Sequence, residues 1–391
     1  MSKVVVIIPT YNEKENIGRM IDILVKDIFP KIKNNQMEIL VVDDKSPDGT
    51  ADIVKEKMKI YPNVTLSLGD KQGLGAAYQR GMKHAMEEMN ADAVIEFDAD
   101  FQHDPKHIVD LVNKFNEGYD YVIGSRFVEG GSIPKNWSFY RKFLTKYGGL
   151  FSRTVLFFPH INKVRDVSTG LKLTRTKGIL DKIDFSKISK GFYYKTQMLY
   201  QIVNLEDSKI IEVPLEFQLR EAGETKMPFS TVLGTFVAII VIRLKDPKTL
   251  RFMKFGTVGF IGYALNALGL EGFYRLGLVP ALAAALGAEI AIVSNFTLNN
   301  IWTFGGKNKI TGFKKIIWKF GQFNLTSLGA ILIQALVVGI LSKFFGDQYR
   351  QIYLIIAVGF FVIPYNYSMY NIFIWKTWKI PFLRKFQQKV G

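Results

Sequence analysis

Two stretches of this chain, residues 320–342 and 351–375, contain no charged side chain. Each exceeds the roughly 20 apolar residues a helix needs to cross a bilayer. Two more, residues 255–270 and 276–302, are uncharged except for Glu289 in the second. A chain entering hydrocarbon must satisfy every backbone N–H and C=O within itself, which restricts such runs to helices. The expectation is an all-α transmembrane domain over residues 250–391, with four helices at about 252–274, 279–302, 320–343 and 351–375. The connection after the second run carries Lys307, Lys309, Lys314, Lys315 and Lys319. The tail carries Lys376, Lys379, Arg384, Lys385 and Lys389. Basic loops stay cytoplasmic. Four spans therefore predict a multi-pass protein of the cell membrane with its N-terminal domain, middle loop and tail on the cytoplasmic side. The N-terminus runs from Met1-Ser2-Lys3 straight into an apolar strand without a cleavable leader, which agrees with that side. Carboxylates within spans are functional candidates by default. Glu271 lies at an interface, and Glu289 either pairs with Arg275 or sits protonated. Neither receives a role.

Residues 1–228 are built differently. Short runs rich in β-branched residues recur at 4–8, 38–42, 64–68, 94–97 and 121–123, with helical patterns between them. Continuous apolar runs read as strands buried on both faces, as in a parallel sheet, and the alternation predicts an α/β domain. Ser46-Pro47-Asp48-Gly49-Thr50 is a turn and helix start before residues 51–58. Beyond residue 126 the pattern is less regular. Lys135, Arg141, Lys142, Lys146 and Arg153 interleave there with Trp137, Phe139, Tyr140 and Tyr147. Residues 229–249 link the two regions. Phe229, Val232, Leu233, Phe236, Val237, Ile240 and Val241 share one helical face, followed by Arg243, Lys245 and Lys248. This is the pattern of an interfacial helix, or of a helix packed on the soluble domain.

Charge narrows the partners. Lys and Arg number 51 against 35 Asp and Glu, a net +16 that suits a nucleic acid, a membrane surface or a phosphorylated substrate. There is no cysteine, which excludes disulfides, thiolate catalysis and Cys-ligated zinc. The four His residues show no metal-binding spacing.

The candidate chemistry lies at strand ends, where ligands bind in open α/β sheets. The first strand ends in Pro9-Thr10-Tyr11-Asn12-Glu13 and lacks a glycine-rich dinucleotide fingerprint. Lys71-Gln72-Gly73-Leu74-Gly75 precedes a helix; the glycines read as a structural turn, while Lys71 adds positive potential. The second strand ends in Val42-Asp43-Asp44, suited to a ribose or base edge, with Ser46 and Asp48 available to cap the next helix. The fourth ends in Glu96-Phe97-Asp98-Ala99-Asp100-Phe101-Gln102-His103-Asp104. Carboxylates two residues apart on a strand point the same way and repel unless a cation sits by them. Oxygen ligands select a hard ion, Mg²⁺ or Mn²⁺, which neutralises a diphosphate. The competing reading is a solvated acidic loop; the company of the other two strand ends favours the site.

Taken in order, Thr10-Tyr11-Asn12-Glu13, Asp43-Asp44-x-Ser46-x-Asp48-Gly49-Thr50, Lys71-x-Gly73-Leu74-Gly75 and Asp98-Ala99-Asp100-Phe101-Gln102-His103 form a specific set. With Gly124-Ser125-Arg126-Phe127, Gly130-Gly131-Ser132-Ile133, Asp166-Val167-Ser168-Thr169-Gly170 and Arg220-x-x-Gly223-Glu224-Thr225-Lys226, they closely resemble the dolichol-phosphate mannose synthase branch of the inverting GT-A glycosyltransferases. The resemblance covers essentially all of residues 1–228. Arg251-Phe252-x-x-Phe255-x-x-Val258-Gly259 and Asn295-Phe296-x-x-Asn299-x-x-Trp302-Thr303-Phe304 resemble the four-span GtrA-like module. One departure lies on the acceptor side: Ser168-Thr169-Gly170-Leu171 stands where that family usually has Thr-Ser-Gly-Phe.

The resemblance implies an α/β GT-A (Rossmann-like) catalytic domain plus the transmembrane domain of four helices. It implies transfer of mannose from GDP-mannose to dolichyl or another polyprenyl phosphate, with inversion and with Mg²⁺ or Mn²⁺, giving a lipid-linked mannose donor for glycosylation. Pro9, Tyr11, Glu13, Val42 and Asp44 would hold the nucleoside, and Asp98 and Ala99 would line the nucleotide and sugar side. Asp100 and Gln102 would bind the metal. Arg126, Arg220 and Lys226 would clamp phosphates, with Asp100 and Arg126 as catalytic residues. Arg126, Ser132 and Arg141 would receive the acceptor phosphate. Such a phosphate has a second pKa of about 6, so it is already anionic and requires no general base. Arg141, Lys142, Lys146 and Arg153 read equally as a basic face against anionic lipid. The partners are then the nucleotide sugar, the polyprenyl phosphate and the lipid bilayer; nucleic-acid binding lacks any supporting motif. A polyprenyl-phosphate glucosyltransferase using UDP-glucose shares the same tracts, and a lipid-linked-sugar flippase would make the spans the working part. A processive polysaccharide synthase would carry Gln-x-x-Arg-Trp, and no Trp of this chain follows an Arg.

Overall fold

The computed structural model describes residues 1–158, 160–206, 208–219 and 229–378, in two compact units, Met1–Arg243 and Leu244–Gly391. The first unit alternates β1 (Ser2–Thr10), α1 (Lys14–Ile23), β2 (Asn35–Asp43), α2 (Thr50–Ile60), β3 (Val64–Leu68), α3 (Leu74–Glu87), β4 (Ala93–Glu96), α4 (His107–Asn116) and β5 (Tyr121–Ser125). It continues through α5 (Phe139–Phe157), β6 (Lys172–Arg175), α6 (Tyr194–Val203), β7 (Ile210–Pro214) and α7 (Phe229–Lys245).

Strand side chains alternate between faces, and both faces are covered. Val4, Val6 and Ile8 of β1 enter one core with Ile39 and Val41 of β2. Val5 and Ile7 enter the other with Leu40 and Val42. This double burial produces the unbroken apolar runs. The sheet order is β3-β2-β1-β4-β6-β5-β7. Six strands run parallel, so the C-terminal ends of β1 to β4 share one edge. β6 departs from the expected all-parallel sheet and runs antiparallel to β4 and β5. It left no apolar run to read because it is Lys172-Leu173-Thr174-Arg175. Its buried Lys172 instead sits in register with Glu96 of β4, placing opposite charges across the ladder.

The linking helix α7 packs on this unit. Ile239 is 2% exposed within the second core, and Phe236 lies 5.0 Å from the Phe151 ring of α5. Leu233, Val237, Ile240 and Val241 of α7, and Phe139, Tyr140, Phe143 and Tyr147 of α5, remain exposed.

The second unit contains α8 (Pro247–Arg275), α9 (Pro280–Leu298), α10 (Phe313–Phe345), α11 (Arg350–Ile356) and α12 (Ile363–Met369). Asp246 caps α8 by accepting from Lys248 N at 2.8 Å and Thr249 N at 3.0 Å, with Pro247 pre-set for the first turn. Among the described residues α10 is the helix long and apolar enough to cross a membrane. A wide helical turn, Ala357–Val362, joins α11 to α12. Pro364 at the start of α12 cannot donate to the preceding turn, which loosens the ladder there. The core is aromatic: Phe304 stacks on Trp375 at 4.2 Å and Phe323 on Tyr370 at 4.5 Å. Asn300 Oδ1 accepts from Ile310 N at 2.7 Å and Trp375 Nε1 at 3.2 Å, tying the basic connection to the last helical turn. Arg275 Nε donates to Glu271 Oε1 at 2.6 Å, so the arginine considered for Glu289 is spent one turn back on its own helix.

Candidate active site

The loops after β1 and β2 are stitched into one unit. Asp43, opposite Thr10, is fully buried. Its Oδ1 accepts from Thr10 Oγ1 at 2.9 Å and Ser46 Oγ at 2.6 Å, and its Oδ2 accepts from Ser46 N at 2.9 Å. Asp48 accepts from Lys14 N at 3.1 Å, Thr50 N at 3.0 Å and Thr50 Oγ1 at 2.6 Å. Burial pushes the Asp48 carboxyl up, but these bonds outweigh it and hold its pKa below the usual value. Asp43 and Asp48 are thus structural. Asp44, the next residue after β2, is 7% exposed and accepts from Arg80 Nη2 at 2.6 Å. Tyr11 is 39% exposed, with Lys71 Nζ 3.3 Å from its ring centroid. Glu13 accepts from Asn16 Nδ2 at 2.8 Å. Pro9 and Val42 are register partners, and Val42, fully buried, forms floor beneath this edge.

The acidic tract lies at the end of β4. Phe101 adopts φ of 59°, a left-handed conformation unusual for a bulky residue, and is buried with the Arg19 guanidinium 4.7 Å over its ring. This sharp turn brings Gln102 N within 3.1 Å of Asp100 Oδ1. Ala99 and Asp100 are buried, and Asp98 is partly exposed. Asp98 Oδ1 accepts from Tyr78 OH at 2.7 Å, and Lys195 Nζ lies 3.8 Å from its Oδ2. Among the described residues no three His, Asp or Glu side chains are grouped to hold a metal by protein alone. Asp100 and Gln102 offer two hard oxygens, the number Mg²⁺ takes from protein when substrate phosphates complete its shell. The donor set fits such an ion.

Arg126, 8% exposed just past β5, is bound to fully buried Asp166. Its Nε donates to Oδ2 and its Nη2 to Oδ1, both at 2.8 Å, and its backbone N donates to Oδ2 at 3.0 Å. Nη2 also donates to Ser168 Oγ at 2.7 Å. Ser132 is exposed, with its N donating to Leu215 O at 3.0 Å. Arg141 stacks its guanidinium 3.8 Å over Trp137. Arg220 and Lys226 lie outside the described residues.

His103 marks where these groups converge. It is 3% exposed, neither ring nitrogen has a hydrogen-bond partner, and the charges of Asp98, Lys195, Asp100 and Arg126 all act on it. Burial dominates and pushes its pKa down to about 4. Below pH 6.5 the unfolded chain then binds a proton that the folded chain refuses, so stability falls with pH from 6.5 towards 4. The difference corresponds to about 3 kcal/mol. Acid unfolding of His103→Asn should lack most of that slope; an unchanged slope would place the titration elsewhere.

Sequence reasoning missed Tyr78, Lys172, Tyr194 and Lys195, which form a buried polar layer under the tract. Tyr78 stacks on Tyr194 at 5.3 Å, and Tyr194 OH donates to Glu96 Oε2 at 2.8 Å. Tyr78 is a fully buried residue of α3 that belongs to no motif, and Lys195 sits on a helix the irregular pattern did not delimit. The paired Asp166 was legible only within its Asp166-Val167-Ser168 tract.

Residues 5–179 match glycosyl transferase family 2, and residues 254–375 match the GtrA/DPMS transmembrane domain. A dolichol-phosphate mannosyltransferase of Pyrococcus furiosus is 32% identical over 89% of this chain and 92% of its own length. A polyprenol monophosphomannose synthase of Mycolicibacterium smegmatis is 34% identical over 59% of this chain and 83% of its own. Among solved structures, glucosyl-3-phosphoglycerate synthase of Mycobacterium tuberculosis with Mn²⁺, UDP and phosphoglyceric acid has a TM-score of 0.46 at 18% identity, over 62% of this chain and 79% of that one.

Proposed function

The chain belongs to the dolichol-phosphate mannosyltransferases, glycosyltransferases of family 2 with a GtrA/DPMS transmembrane domain, and from that membership we propose that it transfers mannose from GDP-mannose to a polyprenyl phosphate with inversion. The observation that carries this reading is the Asp98–Gln102 tract, buried at Ala99, Asp100 and Phe101, beside the Arg126–Asp166 pair, at the edge where β1, β2 and β4 end. The nucleoside lies over Tyr11 and Asp44. Asp100 and Gln102 hold Mg²⁺ or Mn²⁺, which when bound neutralises charge on the donor diphosphate. Arg126, oriented by Asp166, faces phosphate oxygens and steadies charge as the bond to the sugar breaks. Arg220 and Lys226 complete the phosphate clamp. The acceptor oxygen is an anion before it arrives, so these residues position it and no side chain takes a proton from it.

The same membership makes this a membrane protein. Its four spans keep the catalytic unit, the middle connection and the tail in the cytoplasm. The exposed aromatics of α5 with Lys142, Lys146 and Arg153, and the exposed apolar face of α7, lie against the anionic bilayer surface. Ser132 and Arg141 receive the lipid phosphate there. Purified protein given GDP-mannose should mannosylate a polyprenyl phosphate and leave the free polyprenol unreacted. Equal transfer to the alcohol would demand a base and overturn the acceptor assignment. A C-terminal tag exposed outside the cell would overturn the topology.

A further inference from the structure

A short segment just past β7 joins the acidic tract to the residues proposed for the acceptor. Phe217 pairs with His103 in an isolated antiparallel bridge, and Gln218 N donates to Gln102 O at 2.9 Å. The same segment pairs with the Gly130-Gly131-Ser132 turn. Glu216 bridges to Ser132, Ser132 N donates to Leu215 O at 3.0 Å, and Phe217 N donates to Ser132 O at 3.1 Å. The glycines make that pairing possible. Gly130 holds a φ of 83°, and a Cβ on Gly131 would collide with Ser125 O and stand 2.9 Å from the Arg126 carbonyl carbon. Glu216 is pinned in turn: its N donates to His107 Nε2 at 3.3 Å, and its Oε2 accepts from Lys106 Nζ at 2.8 Å.

The Phe217 side chain repeats this junction in ring contacts. It meets His103 at 5.1 Å and Trp137 at 5.6 Å, both edge to face, and the Arg126 guanidinium lies 5.4 Å over it. Trp137, 6% exposed, carries Arg141 stacked at 3.8 Å. On the reading proposed above, Gln102 belongs to the metal end of the donor, and Ser132 and Arg141 receive the acceptor phosphate. A phosphate oxygen attacks the sugar only when both substrates are held in line, and a misplacement of about 1 Å costs about a hundredfold. Backbone pairing places Ser132, and the ring extends that placement through Trp137 to Arg141. Side chains locked in this way by packing hold a reacting geometry better than a loose loop does. We infer that Phe217 is a positioning residue, which sets the acceptor-phosphate residues at a fixed distance from the metal end of the donor.

The test uses full-length protein with GDP-mannose, Mn²⁺ and a polyprenyl phosphate. Phe217→Leu keeps the backbone pairing and an apolar contact with the first core, and loses the ring. It should lower kcat/KM for the polyprenyl phosphate by about tenfold to a hundredfold, with GDP–Mn²⁺ affinity and Tm near those of the parent. Phe217→Tyr, which keeps the ring, should retain most of the activity. In an Arg141→Ala background Phe217→Leu should cost much less than in the parent, because the residue it positions is gone. If Phe217→Leu lowers Tm, Phe217→Met, closer in length, is read in the same way. Parental turnover without the ring overturns the inference. So does a loss matched by weaker GDP–Mn²⁺ binding and fully additive with Arg141→Ala, which would make the ring merely structural. Wild-type protein that leaves the polyprenyl phosphate unreacted overturns the proposed function, and this inference with it.

Discussion

Asp100→Ala is expected to lower kcat for sugar transfer by about a thousandfold while the fold survives. Asp100 is 6% exposed and accepts from the neighbouring Gln102 N at 3.1 Å. On the proposed reading the variant loses one of two hard oxygens for a divalent ion beside the diphosphate, and removing a single preorganised electrostatic contact costs about a hundred- to a thousandfold. Titrating the variant with Mn²⁺ in the presence of GDP should show weakened metal binding, with an unfolding temperature close to that of the parent. Asp100→Asn, which keeps an oxygen without the charge, should fall between. Full turnover in Asp100→Ala would remove the metal assignment outright.

Asp166→Ala is expected to destabilise the first unit by about 3–5 kcal/mol, the usual cost of leaving one member of a buried ion pair alone. That corresponds to a fall of about 10 °C in Tm for a unit of this size. Arg126 would keep its 92% burial and lose its two-pronged partner. Burial pushes the Asp166 carboxyl up, but the Arg126 charge and its hydrogen bonds pull harder and hold the pKa below 3.8. The pair's contribution is therefore present above about pH 4 and lost as pH falls through the lower folded value. The double variant Arg126→Met, Asp166→Leu separates stability from chemistry. It should regain most of the Tm, because a well-packed apolar pair replaces a buried ionic one at little cost, and regain no activity. Activity returning with stability would reduce Arg126 to a structural residue.

The strands that could be read from sequence were those buried on both faces. Residues 4–8 alternate between two cores, so each position is apolar. β6 could not be read this way, because Lys172 meets Glu96 across the ladder and the segment carries one large apolar residue. The site divided similarly. Asp98, Asp100 and Gln102 lie contiguous on one strand end and were visible as a pattern. Tyr78 and Lys195 are 117 positions apart and both reach Asp98, with two glycines letting a loop sit on α3. Asp43 and Asp44 looked alike in the sequence, and the hydrogen bonds divide them: Asp43 is committed to Thr10 and Ser46, whereas Asp44 meets Arg80.

The most direct measurement supplies the full-length protein, in membranes with polyprenyl phosphate and Mg²⁺ or Mn²⁺, with labelled GDP-mannose, UDP-glucose or UDP-N-acetylglucosamine in separate reactions. Label extracted into the lipid fraction from GDP-mannose alone is the predicted result. Lipid-borne label from UDP-glucose, with none from GDP-mannose, would contradict the account.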